Sequence, residues 1–255
     1  MIHPTAIVDP AAEIASGARI GPYCVIGPDA IIGADTELQH HVTVMGPTKI
    51  GTGNFFFAYT SIGQKTQDLK YTGEPTYLEI GDGNTFREFC TVNRGTLPGT
   101  KTVIGNGGNF LAYSHIAHDC IVGNNVIFSN NGTLAGHVEV GDHAVIGGLT
   151  AIHQFCRIGR HAITGGCSKI VQDVPPFFIA DGNPAEVRGV NQVGLERAGV
   201  APEILRALKE AYRILYRGNL NVKQSVEAIR QELPDLPELA ELCQFIESSH
   251  RGIIR

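Results

Sequence analysis

A bulky apolar residue recurs every six positions through the first two-thirds of the chain. Stepping by six from Ile2 passes through Val8, Ile14, Ile20, Ile26 and Ile32 and ends at Ile170. Along that register only Asp68, Glu74, Pro98 and Thr164 are neither aliphatic nor phenylalanine. Glycine often follows, as at Gly21, Gly33, Gly105, Gly123 and Gly141, and the chain holds 31 glycines in 255 residues. A period of six matches neither the 3.6 of a helix nor the 2 of a flat strand. It fits short strands joined by tight corners, each strand sending one large side chain inward. Such corners call for φ > 0 or for a missing Cβ, and glycine supplies either. A repeat of this kind buries its apolar side only by stacking on its neighbours. The chain is therefore read as mainly β, a solenoid over residues 1–180 with coils about 4.8 Å apart.

The pattern fades over 65–77 and 93–102 but resumes in phase at Ile80 and Ile104. Those two segments are predicted to be loops pushed out of the coil wall, where ligand contacts concentrate. After Gln172 the hexads give way to DVPPFFIADGNP, which is unfit for a helix interior. Beyond it Leu205, Leu208, Tyr212 and Leu215 mark one apolar face of a helix from about Ala201 to Tyr216. Two more amphipathic stretches follow near 222–233 and 237–249, so residues 181–255 are predicted to form a small α-helical C-terminal domain. Arg206, Lys209, Arg213 and Arg217 share a stripe of its first helix, either a solvated face or a docking strip for an acidic partner.

Composition removes several function classes. A net charge of −5 argues against a nucleic-acid binder, whose affinity rests on neutralised phosphates. No stretch of about 18 apolar residues is present, so no membrane span is expected. The opening MIHPTAIVDP lacks the layout of a signal peptide, which predicts a cytoplasmic protein. Cys24, Cys90, Cys120 and Cys156 all fall in the fifth slot of a hexad, and no CxxC pair exists. They are read as small packing residues in a reducing compartment.

The hexads, with small fifth residues such as Ala30, Thr36, Cys90, Cys120, Ala144 and Thr150, resemble the hexapeptide-repeat acyltransferase superfamily. The resemblance implies a left-handed parallel β-helix, three hexads to the coil, assembled as a homotrimer. With 18 residues per coil, His118 lies under Gly136, beside His137, and His153 stacks on Ala135. His115 sits three residues before His118 on the same coil. An imidazole is a general base near neutral pH, and Asp119 places a carboxylate next to His118. Clustered histidines also bind zinc, as in the β-helical carbonic anhydrases, but that family's ligand pattern has no match here. No metal is expected.

A longer resemblance is carried by QDLKYTGEPT (67–76), RGT (94–96), HIAHDC (115–120), TLAGHVEVGDHAVIGG (133–148), HQFCRIG (153–159), GGCS (165–168), QDVPPFFIADGNP (172–184) and the ending RGIIR. These segments are similar to the UDP-N-acetylglucosamine O-acyltransferases of lipid A synthesis. That family transfers an (R)-3-hydroxyacyl group from acyl carrier protein to the sugar 3-hydroxyl. It needs no cofactor of its own, since the acyl donor is the carrier's phosphopantetheine thioester.

The resemblance implies that His118 is the general base, held by Asp119, and that the Gly136 N–H stabilises the oxyanion. His115, His137 and His153 would line the sugar and acyl pocket, and Gln154 would reach the nucleotide or diphosphate. Asp68 and Lys70 would meet the sugar in a neighbouring subunit's site, and Asn191 and Arg197 would approach the nucleotide. Gly166 would set acyl-chain length. The chain departs from the family near the nucleotide, with Val193 in place of a carboxylate and Ala198 in place of an arginine. The acceptor is thus a 3-hydroxyl or, as in some relatives, a 3-amino group. A related N-acyltransferase carries a uridine-binding domain before its hexads, whereas this register starts at Ile2. A non-catalytic trimeric scaffold gives no reason for His118, Asp119 and Gly136 to align.

Overall fold

A computed structural model describes residues 1–255. Successive strands, two to four residues long up to the final hairpin, visit three sheets in rotation, giving faces of nine, eight and ten strands. Pairing along each face is parallel, apart from one hairpin at the end. The result is a left-handed parallel β-helix. The inward column is the predicted register: Ile116 pairs with Leu134 and Leu134 with Ile152, one coil of 18 residues apart. Phe56, Phe86, Phe110 and Phe128 are fully buried one above another, with ring centroids 4.9, 4.6 and 5.2 Å apart. Each buried ring contributes about 1.5–3 kcal/mol. Thr164, one of the four exceptions to the register, is also inside, where its hydroxyl accepts the Gly147 N–H at 3.0 Å.

The corners divide the two roles that glycine could have played. At most of the repeated glycines φ is not positive; what matters is the missing Cβ. A Cβ on Gly105 would lie 2.8 Å from the Gly123 carbonyl of the next coil. The left-handed backbone is instead taken by Tyr23, His41, Tyr59, Phe89 and Tyr113 at one corner and by Asp119, His137 and Phe155 at another. Side chains at such positions leave the wall, so each corner becomes a column of outward groups. Tyr59, Phe89 and Tyr113 stack face to face there, 4.9–5.2 Å apart and about half exposed.

The two loops lengthen their coils by whole hexads. Ser61 pairs with Thr91 and Thr91 with His115, spacings of 30 and 24 residues against 18 in the regular coils. That is why the register survives them.

The end of the solenoid differs from the expected boundary at residue 180. Phe178–Gly182 stacks on the last face and turns into an antiparallel strand, Ala185–Val190. Four helices follow, α1 (Gln192–Arg197), α2 (Pro202–Tyr216), α3 (Val222–Glu232) and α4 (Pro237–Glu247). The short α1 and the hairpin had no periodic signal long enough to read. The helices cap the open end of the coil column. Arg160 holds Glu241 through Nε and Nη2, Arg157 donates to the Phe245 and Ser248 carbonyls, and Phe178 packs edge-on against Tyr212 and Tyr216. Arg251 donates to the Val171 carbonyl, and Ile253 and Ile254 are buried, so the RGIIR ending is part of that cap.

Candidate active site

His115–Ile116 is one of the short strands of the nine-stranded face, and the chain turns the next corner at Ala117–Cys120. Ile116 and Cys120 point inward and are buried, so His118 and Asp119 face out of the corner. Asp119 takes the left-handed conformation, φ 59°. That turns its carboxylate back to His118, whose Nδ1 lies 2.9 Å from Asp119 Oδ2. With Nδ1 donating to the carboxylate, Nε2 carries the lone pair. Both side chains are shielded, 12% and 7% exposed.

Gly136 sits one coil above, and the His118 ring covers its Cα. A Cβ there would lie 2.5 Å from His118 Nε2 and 3.0 Å from Nδ1, so only glycine lets the ring lie flat on the corner. The Gly136 N–H donates to no acceptor within the chain. A bare amide beside a base is the arrangement needed to receive a developing oxyanion.

Asp119 is held from four sides. Its N–H donates to Thr102 Oγ1 at 2.8 Å, and the Thr96 N–H lies 3.1 and 3.3 Å from its carboxylate oxygens. Burial pushes its carboxyl up. The Thr100 hydroxyl, the His118 bond, the neighbouring His137 and the Thr96 N–H outweigh this and hold it below the usual carboxylate range. It therefore stays ionised as the fixed acceptor for His118.

The other expected residues are spread unevenly. His137 is next to the dyad, edge-on to His118 at 5.2 Å and stacked on Phe155 at 4.7 Å. Its Nε2 is 3.7 Å from Asp119 Oδ2, too long for a hydrogen bond. His115 pairs its Nδ1 with the Thr91 hydroxyl at 2.7 Å, and burial together with His118 holds it below the usual histidine range, hence neutral. His153 is exposed, its Nδ1 3.1 Å from the Gln154 carbonyl, and Gln154 is exposed beside it. Lys70 is exposed on the first loop, and Asp68 there accepts the Lys70 N–H at 2.9 Å. Gly166 lies exposed one coil above Gly148, and a Cβ there would sit 3.4 Å from the Gly148 carbonyl oxygen, an ordinary contact.

Asn191 stands at the start of α1. It is 4% exposed, its Oδ1 caps α1 by accepting the Gly194 N–H, and its Nδ2 donates to the His161 carbonyl at 2.8 Å. Its side chain holds the helix on the solenoid, while Arg197, in the last turn, is exposed. Thr96, Thr100 and Thr102 were missed as site residues. The RGT segment was visible as a motif, but nothing in an 18-residue spacing leads from it to Asp119.

His118, Asp119 and His137 bring three potential metal-ligand atoms within 4.8 Å of one another. Two of these groups already share a hydrogen bond, so a cation would have to displace the proton on Nδ1.

The chain is similar to known proteins along its whole length. Residues 173–254 match a family profile described as "Udp N-acetylglucosamine O-acyltransferase; Domain 2". The chain is 44% identical over 255 residues to the acyl-[acyl-carrier-protein]–UDP-N-acetylglucosamine O-acyltransferase of Anaeromyxobacter sp. (strain Fw109-5), covering 100% of this chain and 99% of that one. It superposes on the structure of LpxA from Acinetobacter baumannii with a TM-score of 0.96 at 46% identity, over 100% of this chain and 99% of the other. The UDP-N-acetylglucosamine O-acyltransferase of Moraxella catarrhalis gives a TM-score of 0.96 at 44% identity, with the same coverage. Full-length identity at this level, on a shared fold, makes the chain a member of the acyl-[acyl-carrier-protein]–UDP-N-acetylglucosamine O-acyltransferase family.

Proposed function

We propose that this enzyme transfers an (R)-3-hydroxyacyl chain from acyl carrier protein to the 3-hydroxyl of UDP-N-acetylglucosamine, the first step of lipid A biosynthesis. The observation that carries the mechanism is the His118 ring, fixed by Asp119 and lying on Gly136, whose N–H is free. His118 Nε2 takes the proton of the sugar 3-hydroxyl as that oxygen attacks the thioester carbon. The tetrahedral oxyanion receives the Gly136 N–H. Collapse expels the phosphopantetheine thiolate, which recovers the proton from His118, leaving an ester and a free thiol. This chemistry calls for no metal or resident cofactor.

Around that centre, His115, His137 and His153 line the sugar and acyl pocket and Gln154 reaches toward the diphosphate. Asp68 and Lys70 serve the sugar site of a neighbouring subunit in a homotrimer. Asn191 and Arg197, at the two ends of α1, approach the nucleotide. The exposed aromatic column of Tyr23, His41, Tyr59, Phe89 and Tyr113 supports the trimer, because an exposed aromatic strip is what a subunit contact covers. The acidic carrier protein docks on the α2 stripe of Arg206, Lys209, Arg213 and Arg217. Of these Arg213 is neutralised by Glu210 at 2.9 Å, which leaves Arg206 and Lys209 as the free charges of the middle turns. No helix is long and apolar enough to cross a membrane.

The direct test incubates the purified protein with (R)-3-hydroxyacyl carrier proteins of several lengths and either UDP-N-acetylglucosamine or its 3-amino analogue. Acyl transfer to the hydroxy sugar is expected; transfer only to the amino sugar moves the reading to N-acylation, and transfer to neither removes it. In the same assay Gly166→Met shifts preference to a shorter donor, since the exposed position tolerates a side chain that would block a longer one; an unchanged preference rules out this residue as the ruler. Dialysis against a chelator is expected to leave turnover unchanged, because Asp119 already accepts from His118 and Thr96. A loss restored by zinc reverses that assignment.

A further inference from the structure

The two extruded loops are fastened to each other, and the fastening ends on the catalytic carboxylate. Asn93 Nδ2 donates to the Lys65 carbonyl at 2.7 Å and the Arg94 N–H to the Gln64 carbonyl at 2.9 Å, which lays the foot of the second loop on the first. Deeper in, the Thr96 hydroxyl donates to Thr66 Oγ1 at 2.8 Å, and the two residues are 3% and 5% exposed. Thr66 Oγ1 also accepts the Asp68 N–H at 3.1 Å. On its other side Thr96 offers its own N–H to the Asp119 carboxylate. One short run of hydrogen bonds thus leads from Asp68, through Thr66, Thr96 and Asp119, to His118 Nδ1. Both coils involved are the lengthened ones, so this contact exists only because the loops were inserted.

We propose that Thr96 is a positioning residue for the transfer reaction: its hydroxyl latches the Asp68 loop, and its N–H thereby sets the Asp119 carboxylate against His118. The inference rests on the acyl-transfer reading above. Valine matches threonine in shape and removes only the hydroxyl, so the wall stays filled while the latch opens. Thr96 touches neither substrate nor reacting atoms in this scheme; it acts through Asp119.

The test measures kcat for Thr96→Val, Thr96→Ser and Thr66→Val with a hydroxyacyl carrier protein and UDP-N-acetylglucosamine, each in the wild-type and the Asp119→Asn background. One lost buried hydrogen bond predicts about a tenfold fall in kcat for Thr96→Val, with Thr96→Ser within about twofold of wild type. Thr66→Val deletes the same bond from its other end together with the acceptor of the Asp68 N–H, and gives at least the same loss, which keeps the test available if one variant folds poorly. In the Asp119→Asn background the further loss shrinks to less than about twofold, because the group being positioned is gone. A purely structural staple costs the same factor in both backgrounds, and that additivity overturns the proposal. So does full activity of both valine variants in a competent wild-type background. A wild-type protein that transfers no acyl chain at all overturns the functional reading itself.

Discussion

His118→Ala lowers kcat by about 10²–10⁴-fold, the range typical of a lost general base, with the melting temperature nearly unchanged. The ring is not part of the inward column that holds the coils together; it lies outside the wall, over Gly136 and against Asp119. Its removal leaves the register, the phenylalanine stack and the helical cap intact. What it removes is the acceptor for the sugar proton at Nε2. The Gly136 N–H and the substrate contacts remain, so a residual rate above the uncatalysed one persists. The check is steady-state turnover together with a thermal melt. Activity within a few-fold of wild type in a folded variant dismisses His118 as the base.

Gly136→Ala is the second large effect and separates two roles that a glycine could play. The variant keeps the N–H, so the oxyanion donor survives. Gly136 is not at positive φ, so an L-residue fits the backbone. The added methyl would lie 2.5 Å from His118 Nε2, and the ring must swing off Asp119 to avoid it. A misplacement of about 1 Å in a reacting group costs roughly 10²-fold, so kcat is expected to fall by about that factor. The loss appears in kcat more than in KM for either substrate. If turnover stays within threefold, the ring has room that the geometry denies it, and the close packing of His118 on Gly136 is not required for catalysis.

The sequence made the coil arithmetic legible because every inward residue repeats an identical task. Eighteen-residue stacking was enough to put His118 under Gly136 and beside His137, where the structure has them. It did not give the directions of the remaining histidines: His115 turns to Thr91 and His153 to the Gln154 carbonyl. Side-chain direction at a corner depends on local φ, which the hexad pattern does not encode. Periodicity also said nothing of Thr96, since its route to Asp119 passes through a loop with no repeat. The capping role of Asn191 was equally silent in the periodicity, because a helix cap is a single residue with no repeat. The hairpin at Phe178–Val190 was hidden because two strands give too few repeats to establish a period.

The left-handed corners carry a consequence for how this protein can measure a ligand. Asp119, His137 and Phe155 occupy equivalent places on successive coils, and so do Leu149 and Cys167, neighbours of Gly148 and Gly166. Any feature along such an edge is available only at multiples of the coil rise, about 4.8 Å. A scaffold of this sort works as a graduated scale whose marks are spaced by the backbone and only labelled by side chains. Selectivity for a long extended ligand can then move from one mark to the next by a single substitution, with no shift in the chemistry several coils away.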